Sequence, residues 1–313
     1  MGCKHLFVLN PTAGKQDSTN ILRREIEEIA SARGLEYRIA VTERHGHAVE
    51  IAREAASTGD ELRLYACGGD GTLNEVINGA AGFANAAVTN VPCGSGNDFV
   101  KTFSEPMAFR NLGRLMEPEE ATFDLIHANE SISLNICSVG FDARIGTDMV
   151  RYKHLPLVTG PGAYALSVAV NLIKGVHEHY RIELEDGTVL DDRYTLACMC
   201  NGRWYGGGYQ PLPESDPADG WMDVLLIKAV SRLTVANLIS KFKVGQYQAL
   251  GDLATHLQCR SLTIHADHVL PVNLDGELLR AQDVKFWLEP QAMRVFYPHG
   301  LKWHPAVAAP ANT

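Results

Sequence analysis

Apolar runs and amphipathic stretches alternate along the chain as far as Phe123. His5–Asn10 (HLFVLN), Glu36–Val41 (EYRIAV), Leu62–Cys67 (LRLYAC) and Ala86–Val91 (AAVTNV) are short apolar runs, which predicts strands. Ser18–Arg33, Ala48–Ser57 and Leu73–Ala81 separate them with helical spacing. In the first of these, Ile21, Leu22, Ile26, Ile29 and Ala30 are the apolar positions, and Gly34 follows as a C-cap; Gly59 closes the second. Strands alternating with short helices imply a parallel sheet covered by helices on both faces.

Beyond Phe123 the texture changes. FDLIHAN, ISLNICSVGFD, YRIELED, VLDDRYTLACMC, WMDVLLIKAV, CRSLTIHAD, HVLPVNLD and VKFWLEP all read as strands, and Asp186-Gly187 and Asp275-Gly276 are hairpin signals. Helical patterns interrupt them at Gly162–Lys174 and Leu233–Val244. The expected fold class is therefore α/β. An N-terminal Rossmann-like parallel-sheet domain, 1–123, is followed by a mostly antiparallel β-sandwich domain, 124–290. Residues 291–313, which include the strand-like AMRVFYP, are expected to return to the first domain.

Composition narrows the class. The 313 residues are 46% hydrophobic and 21% charged, with a formal net charge of −9, which argues against nucleic acid as a partner. No apolar run is long enough to span a bilayer, and the N-terminal apolar stretch is too short for a signal peptide. Met1-Gly2 starts like a myristoylation site, but position 6 is Leu rather than Ser or Thr. Seven cysteines without regular spacing read as reduced thiols and predict a cytoplasmic protein. Cys198 and Cys200 share one face of a strand, where core packing is expected. His265 and His268 are three apart on a strand and face opposite sides, so they do not form a metal site.

Three polar or glycine-rich segments fall at the carboxyl ends of predicted strands, where α/β sheets bind ligands: Asn10–Lys15, Gly68–Thr72 and Pro92–Asp98. Asn10–Lys15 is not a Walker A loop, because position 9 is Leu and position 16 is Gln; Lys15 is nonetheless a candidate phosphate partner. Glycines at all three strand ends point to a shared nucleotide site, since glycine backbone can approach phosphate closely. Asp70 would repel a bare phosphate, so its presence suggests a metal or a polar handle.

Gly68-Gly69-Asp70-Gly71-Thr72 followed by Pro92-x-Gly94-Ser95-Gly96-Asn97-Asp98 resembles the diacylglycerol kinase catalytic domain, a superfamily that includes bacterial soluble lipid kinases, sphingosine kinases and ceramide kinases. Asn10-Pro11-x-x-Gly14, Val41–Ala48, Asn201–Ile227 and Asn273–Glu277 resemble further motifs of that family, in order along nearly the whole chain. The resemblance implies ATP as phosphate donor, Mg2+ as cofactor, a lipid hydroxyl such as that of diacylglycerol as acceptor, and passing contact with a membrane surface. Nucleotide contacts are expected from Asn10, Pro11, Gly14, Lys15, Thr42, Gly68, Gly69, Asp70, Gly71, Thr72, Glu75, Gly94, Ser95, Gly96, Asn97, Asp98 and Glu277. Asp275 is the expected general base. The resemblance also implies metal binding through water at Asp124, and a structural Mg2+ held by Asp219 with backbone oxygens of Asp216 and Trp221. The apolar segments Gly160–Gly175 and Leu226–Leu250 are candidates for the acceptor region, with Arg232, Lys241 and Lys243 adding basic character. A homodimer is compatible with the sequence. The alternatives are an NAD kinase-like enzyme, which shares Gly-Gly-Asp-Gly, and a nucleotide-binding regulatory module without chemistry.

Overall fold

The structure, a computed structural model, describes residues 2–14, 19–152 and 160–303. The alternating segment folds as β1 (Lys4–Leu9), α1 (Thr19–Ala32), β2 (Glu36–Val41), α2 (His47–Ala56), β3 (Leu62–Gly68), α3 (Asp70–Ala80) and β4 (Ala86–Pro92). Strands β1 to β4 pair in parallel, in the order β2-β1-β3-β4. A Rossmann sheet runs 3-2-1-4. Here the chain passes back over β1 between β2 and β3, so β1 is flanked by β2 and β3 and the Rossmann expectation is corrected to a flavodoxin-like order. Every residue of β4 is buried, and five of the six in β1, which is why these strands read as continuous apolar runs rather than alternating ones.

Two short 3-10 turns, Phe99–Thr102 and Pro106–Arg110, and the one-turn helix α4 (Leu112–Leu115) lead to β5 (Pro118–Ala128), β6 (Ser131–Ser133) and β7 (Ile136–Gly140). Helices α5 (Phe141–Tyr152) and α6 (Gly160–Lys174) precede β8 (Glu178–Leu184), β9 (Val189–Cys200) and β10 (Met222–Lys228). The chain ends with α7 (Arg232–Lys243), β11 (Ala254–Cys259), β12 (Ser261–Leu274) and β13 (Glu277–Pro298). This larger part of the sheet is antiparallel. Strand β8 pairs with both β9 and β12, and β7 also pairs with both, so the four strands close a ring. Tyr180, Ile182, Ala197, Met199, Val272 and Phe286 belong to the core these strands share.

The antiparallel strands are not a detached sandwich. Strand β13 pairs antiparallel with β12 and β5, then in parallel with β4 through Arg294↔Ala87 and Val295↔Val88, and so joins everything into one mixed sheet. Met293, Val295, Phe296, Tyr297 and Leu301 pack into the first core beside Phe7 and Tyr65. A third apolar cluster lies where α5 and α7 cover β9 and β10; it holds Phe141, Ile145, Leu238 and Phe242, and Cys198 and Cys200 are buried in it.

Candidate functional site

Four loops at the carboxyl ends of β1 to β4 converge. Gly14 has φ +80, and a Cβ there would strike the Cys93 carbonyl oxygen. A Cβ on Gly94 would lie 2.5 Å from the Gly69 Cα, so the loops after β3 and β4 touch backbone to backbone. Gly69 caps α3 in an extended conformation, and none of Gly68, Gly69, Gly71, Gly94 or Gly96 has positive φ. Close approach, not turn geometry, is what these glycines supply. Helix α3 starts at Asp70 rather than at Leu73, which puts Asp70, Gly71 and Thr72 in its first turn.

The loops form one wall of a single cleft of about 1270 Å³. Asn10, Pro11, Gly14, Thr42, Gly69, Asp70, Gly71, Thr72, Glu75, Gly94, Ser95, Gly96, Asp98, Asp275 and Glu277 all line it. Gly68 and Asn97, expected as nucleotide contacts, do not. A Cβ on Gly68 would strike the Thr72 side chain, and Asn97 turns its amide back onto Gly94, donating to its carbonyl at 2.7 Å. Lys15 lies outside the described residues. Asn10 Nδ2 donates to Thr72 Oγ1 at 2.9 Å, and Glu75 accepts from the Gly46 and Ala48 amides, which caps α2.

Two acids of the first unit interlock. Asp70 Oδ1 accepts from the Asp98 amide at 2.5 Å. The Asp98 carboxylate takes Lys101 Nζ at 2.6 Å and the Gly207 amide at 2.7 Å, so the Gly206-Gly207-Gly208 loop reaches across the cleft. Burial, then the charge of Asp98, pushes the Asp70 carboxyl up to about 6. Its Oδ2 faces Gly96, where a Cβ would collide with it. A half-buried carboxylate beside a cradle that only glycine leaves open fits a hard divalent cation, which prefers oxygen donors.

Asp275 enters from the other side with φ +52. Its carboxylate accepts from the Leu134 amide at 2.7 Å, the Ile136 amide at 2.9 Å and the Asn135 amide at 3.1 Å. Burial raises its pKa, and the three amides work against that shift. Glu277 sits against Gly71, where a Cβ would lie 2.8 Å from Oε1. At the cleft rim His45 Nδ1 is 3.1 Å from Glu75 and its Nε2 is 3.7 Å from Glu277. Among the described residues, these three are the group whose donor atoms lie close enough together to share an ion.

Asp124, Asp216, Asp219 and Trp221 do not line the cleft; they meet elsewhere. Asp124 is fully buried, accepts from the Gly220 and Gln291 amides, and donates its own amide to the Pro217 carbonyl at 2.7 Å. Asp219 accepts from the Trp221 amide at 2.9 Å, and burial together with Asp223, Asp216 and Asp124 pushes its carboxyl up to about 6. An oxygen-rich loop with crowded acids fits Mg2+ in donor type. Both Asp124 oxygens already hold backbone amides, so Asp124 also works as a staple for the loop.

Arg44 and His45 of the Val41–Ala48 motif and Trp204 and Tyr205 of the Asn201–Ile227 motif line the cleft without having been named individually, and so do Asp142 and Arg280, which lay in no motif. Asp142 lies in α5, which GFDARIGTDM conceals as the continuation of a strand. The break is at Gly140, φ +117, where a Cβ would lie 3.2 Å from the Leu196 Cα.

A family model described as the diacylglycerol kinase catalytic domain matches residues 4–138, and one described as the YegS C-terminal NAD kinase beta sandwich-like domain matches residues 135–297. The chain belongs to the diacylglycerol kinase catalytic-domain family. Family members similar to it include a protein of Pseudomonas aeruginosa named "Probable lipid kinase YegS-like", 29% identical over 300 residues with 95% of each chain covered. A protein of the same name from Chromohalobacter salexigens is 28% identical over 307 residues, covering 95% of this chain and 96% of its own. A crystal structure titled a diacylglycerol kinase from Bacillus anthracis superposes with a TM-score of 0.69 at 22% identity, covering 95% of this chain and 97% of that one. At that identity the superposition supports the fold of this diacylglycerol kinase family member and nothing finer.

Proposed function

We propose that the protein is a lipid kinase that transfers the γ-phosphoryl group of ATP to a lipid hydroxyl. The observation that carries this reading is the continuity of the cleft. The glycine-rich wall runs into an apolar chamber lined by Phe141, Ile145, Met149, Leu238, Ile239 and Phe242 of α5 and α7, and Asp275 lines the same cleft. A polar dinucleotide acceptor, as in an NAD kinase-like enzyme, would gain nothing from that chamber, whereas acyl chains would bury apolar area there. No helix of the described residues is long and apolar enough to cross a membrane, so the lipid would be taken from a surface the protein visits.

Phosphoryl transfer is mostly positioning and charge neutralisation. The backbone around Gly14, Gly69, Gly94 and Gly96 holds the phosphates at close range. Asp70 is the residue placed to hold Mg2+, which when bound neutralises phosphate charge. Asp275 orients the acceptor hydroxyl and takes its proton, its carboxylate fixed by the three amides. A second reading makes Asp70 the base, favoured by its carboxyl being pushed to about 6 with Oδ2 turned to the cleft. We assign the structural Mg2+ site to Asp219 and its loop. Incubation with labelled ATP, Mg2+ and a total lipid extract, followed by lipid separation, tests the activity. A labelled lipid is expected; label transfer to NAD and to no lipid would overturn the reading.

A further inference from the structure

A chain of four side chains outside the cleft ties the wall of the apolar chamber to the edge of the sheet. Asp223 of β10 is buried, and its Oδ1 lies 2.7 Å from Nε2 of His256 on the edge strand β11. On the other side of the ring, Nδ1 lies 3.2 Å from the Tyr247 hydroxyl, which donates to the Glu214 carboxylate. Asp223 from β10, Glu214 from the loop before β10 and Tyr247 from the turn after α7 are, among the described residues, the titratable groups that face His256.

Donor counting fixes the charge this arrangement calls for. A hydroxyl has one proton to donate, and a carboxylate only accepts. Tyr247 directs its proton to Glu214, so its oxygen is an acceptor toward Nδ1. Asp223 is an acceptor toward Nε2. Both ring nitrogens therefore need a proton, and only the imidazolium has two. A neutral ring either sets a lone pair against Asp223 or Tyr247, or draws the Tyr247 proton away from Glu214. The side chain of Asp223 is 3% exposed, so water does little to replace a lost donor there. The hydrogen bond to Asp223, then the charges of Asp223 and Glu214, raise the His256 pKa against the burial that lowers it.

The chain grips α7 at its C-terminal end. Tyr247 is buried in the same apolar cluster as Leu238 and Phe242, which line the chamber. The Phe242 carbonyl accepts from the Gln210 amide at 2.8 Å, and the Gln246 amide donates to the Lys241 carbonyl at 2.9 Å. The last turn of α7, Tyr247 and the loop carrying Glu214 are thus tied together. We infer that His256 works as a pH-sensitive clamp, holding this end of the chamber wall against the sheet while its ring is doubly protonated and releasing it as the ring loses a proton. For its effect on turnover the inference rests on the lipid-kinase reading. A histidine whose pKa is raised on folding stabilises fully below its unfolded value, here 6.5, and that contribution is lost as pH rises through the folded value. The wall is therefore firmest below about pH 6.5.

The test titrates the parent and His256→Gln, both with saturating Mg2+. The His256 ring, followed by NMR, is expected to titrate above 6.5. A midpoint at or below that value overturns the inference, and this arm needs no variant. Hydrogen-exchange protection of the α7 and Tyr247–Leu253 amides is expected to fall in the parent as pH rises through that midpoint, and to stay at one low level in the variant. The KM for dioleoylglycerol in mixed micelles should rise over the same window by roughly two- to fivefold in the parent, the strength of one partly exposed ion pair, with the KM for ATP unchanged. In the variant it should be flat. Protection and acceptor KM that ignore the His256 titration overturn the clamp and leave the lipid-kinase reading standing. A parent that labels neither dioleoylglycerol nor any lipid of a total extract overturns that reading, and the exchange arm then decides the clamp by itself.

Discussion

The same dipeptide, Asp-Gly, stands on both sides of the cleft and is built in two different ways. Asp70-Gly71 opens a helix. Its aspartate has ordinary helical geometry, one oxygen on the Asp98 amide and the other facing Gly96. Asp275-Gly276 is a turn between β12 and β13, with φ +52 and +97, and its carboxylate is gripped by three amides. Gly71 is small because Glu277 presses on it; Gly276 is there because of its φ, with nothing within 4 Å of a Cβ. The first acid keeps an oxygen for a cation. The second trades freedom for a fixed orientation, which suits a group that must meet one hydroxyl in one place.

The sharpest way to break this comparison is Asp275→Asn. Turnover should fall by about 10²–10⁴-fold, the range for a positioned base, with ATP binding retained. The new amide NH2 would face backbone N–H groups, so unfolding should also shift by about 1–3 kcal/mol. Turnover near the parent value would reduce Asp275 to a turn residue.

Asp70→Asn should cost about 10²–10³-fold in turnover, as expected for a lost electrostatic group, together with a raised Mg2+ requirement. If Asp70 were the base instead, its variant would lose the lower limb of the pH–rate profile near pH 6, and the Mg2+ requirement would stay put.

The two glycines separate space from conformation. Gly71→Val should push Glu277 aside and weaken ATP binding by roughly tenfold or more, on the order of 1.4 kcal/mol. Gly276→Ala should leave ATP affinity alone and lower stability by about 1–2 kcal/mol, the strain of a left-handed alanine. Matching calorimetric profiles for the two variants would erase the distinction.

Asp219→Ala probes the acidic loop outside the cleft. Excess Mg2+ should raise the melting temperature of the parent more than that of the variant; equal responses would remove Asp219 as a ligand.

The smallest effect is in pH. A carboxyl raised from its ordinary value binds protons more readily when folded, so stability falls as pH rises from the ordinary carboxylate range through the folded pKa. For Asp70 and Asp219, both pushed to about 6, metal-free protein should lose stability between roughly pH 4 and pH 6. Asp70→Asn should flatten part of that slope in a series of urea titrations.

Much of this was legible in the residues. The β1–β4 alternation, α1, α2, and the helices α6 and α7 follow from hydrophobic spacing, and their edges moved by only a few residues. Other features were not. VKFWLEP and AMRVFYP fuse into β13 across Gln291, φ +52, and CRSLTIHAD and HVLPVNLD fuse into β12, because a strand survives a local register shift when partners on both sides keep pairing. Helix α5 was hidden because its apolar residues continue those of β7, and only packing against β9 and β12 decides where the strand stops.

The sequence by itself determined the glycine loops, their place at strand ends, and the acids within them, because backbone closeness and charge are properties of residue type. It could not determine which acids share a cavity. Asp124 looks like the others in a string of letters, yet β5 carries it to the loop at Asp219 and away from the cleft. Asp142 had no motif at all, yet α5 brings it to the same cleft that Asp275 lines from the turn after β12. Those assignments depend on β13 crossing from the antiparallel strands to β4 and so holding two walls opposite each other, and a contact between residues more than a hundred positions apart is fixed by packing, not by local pattern.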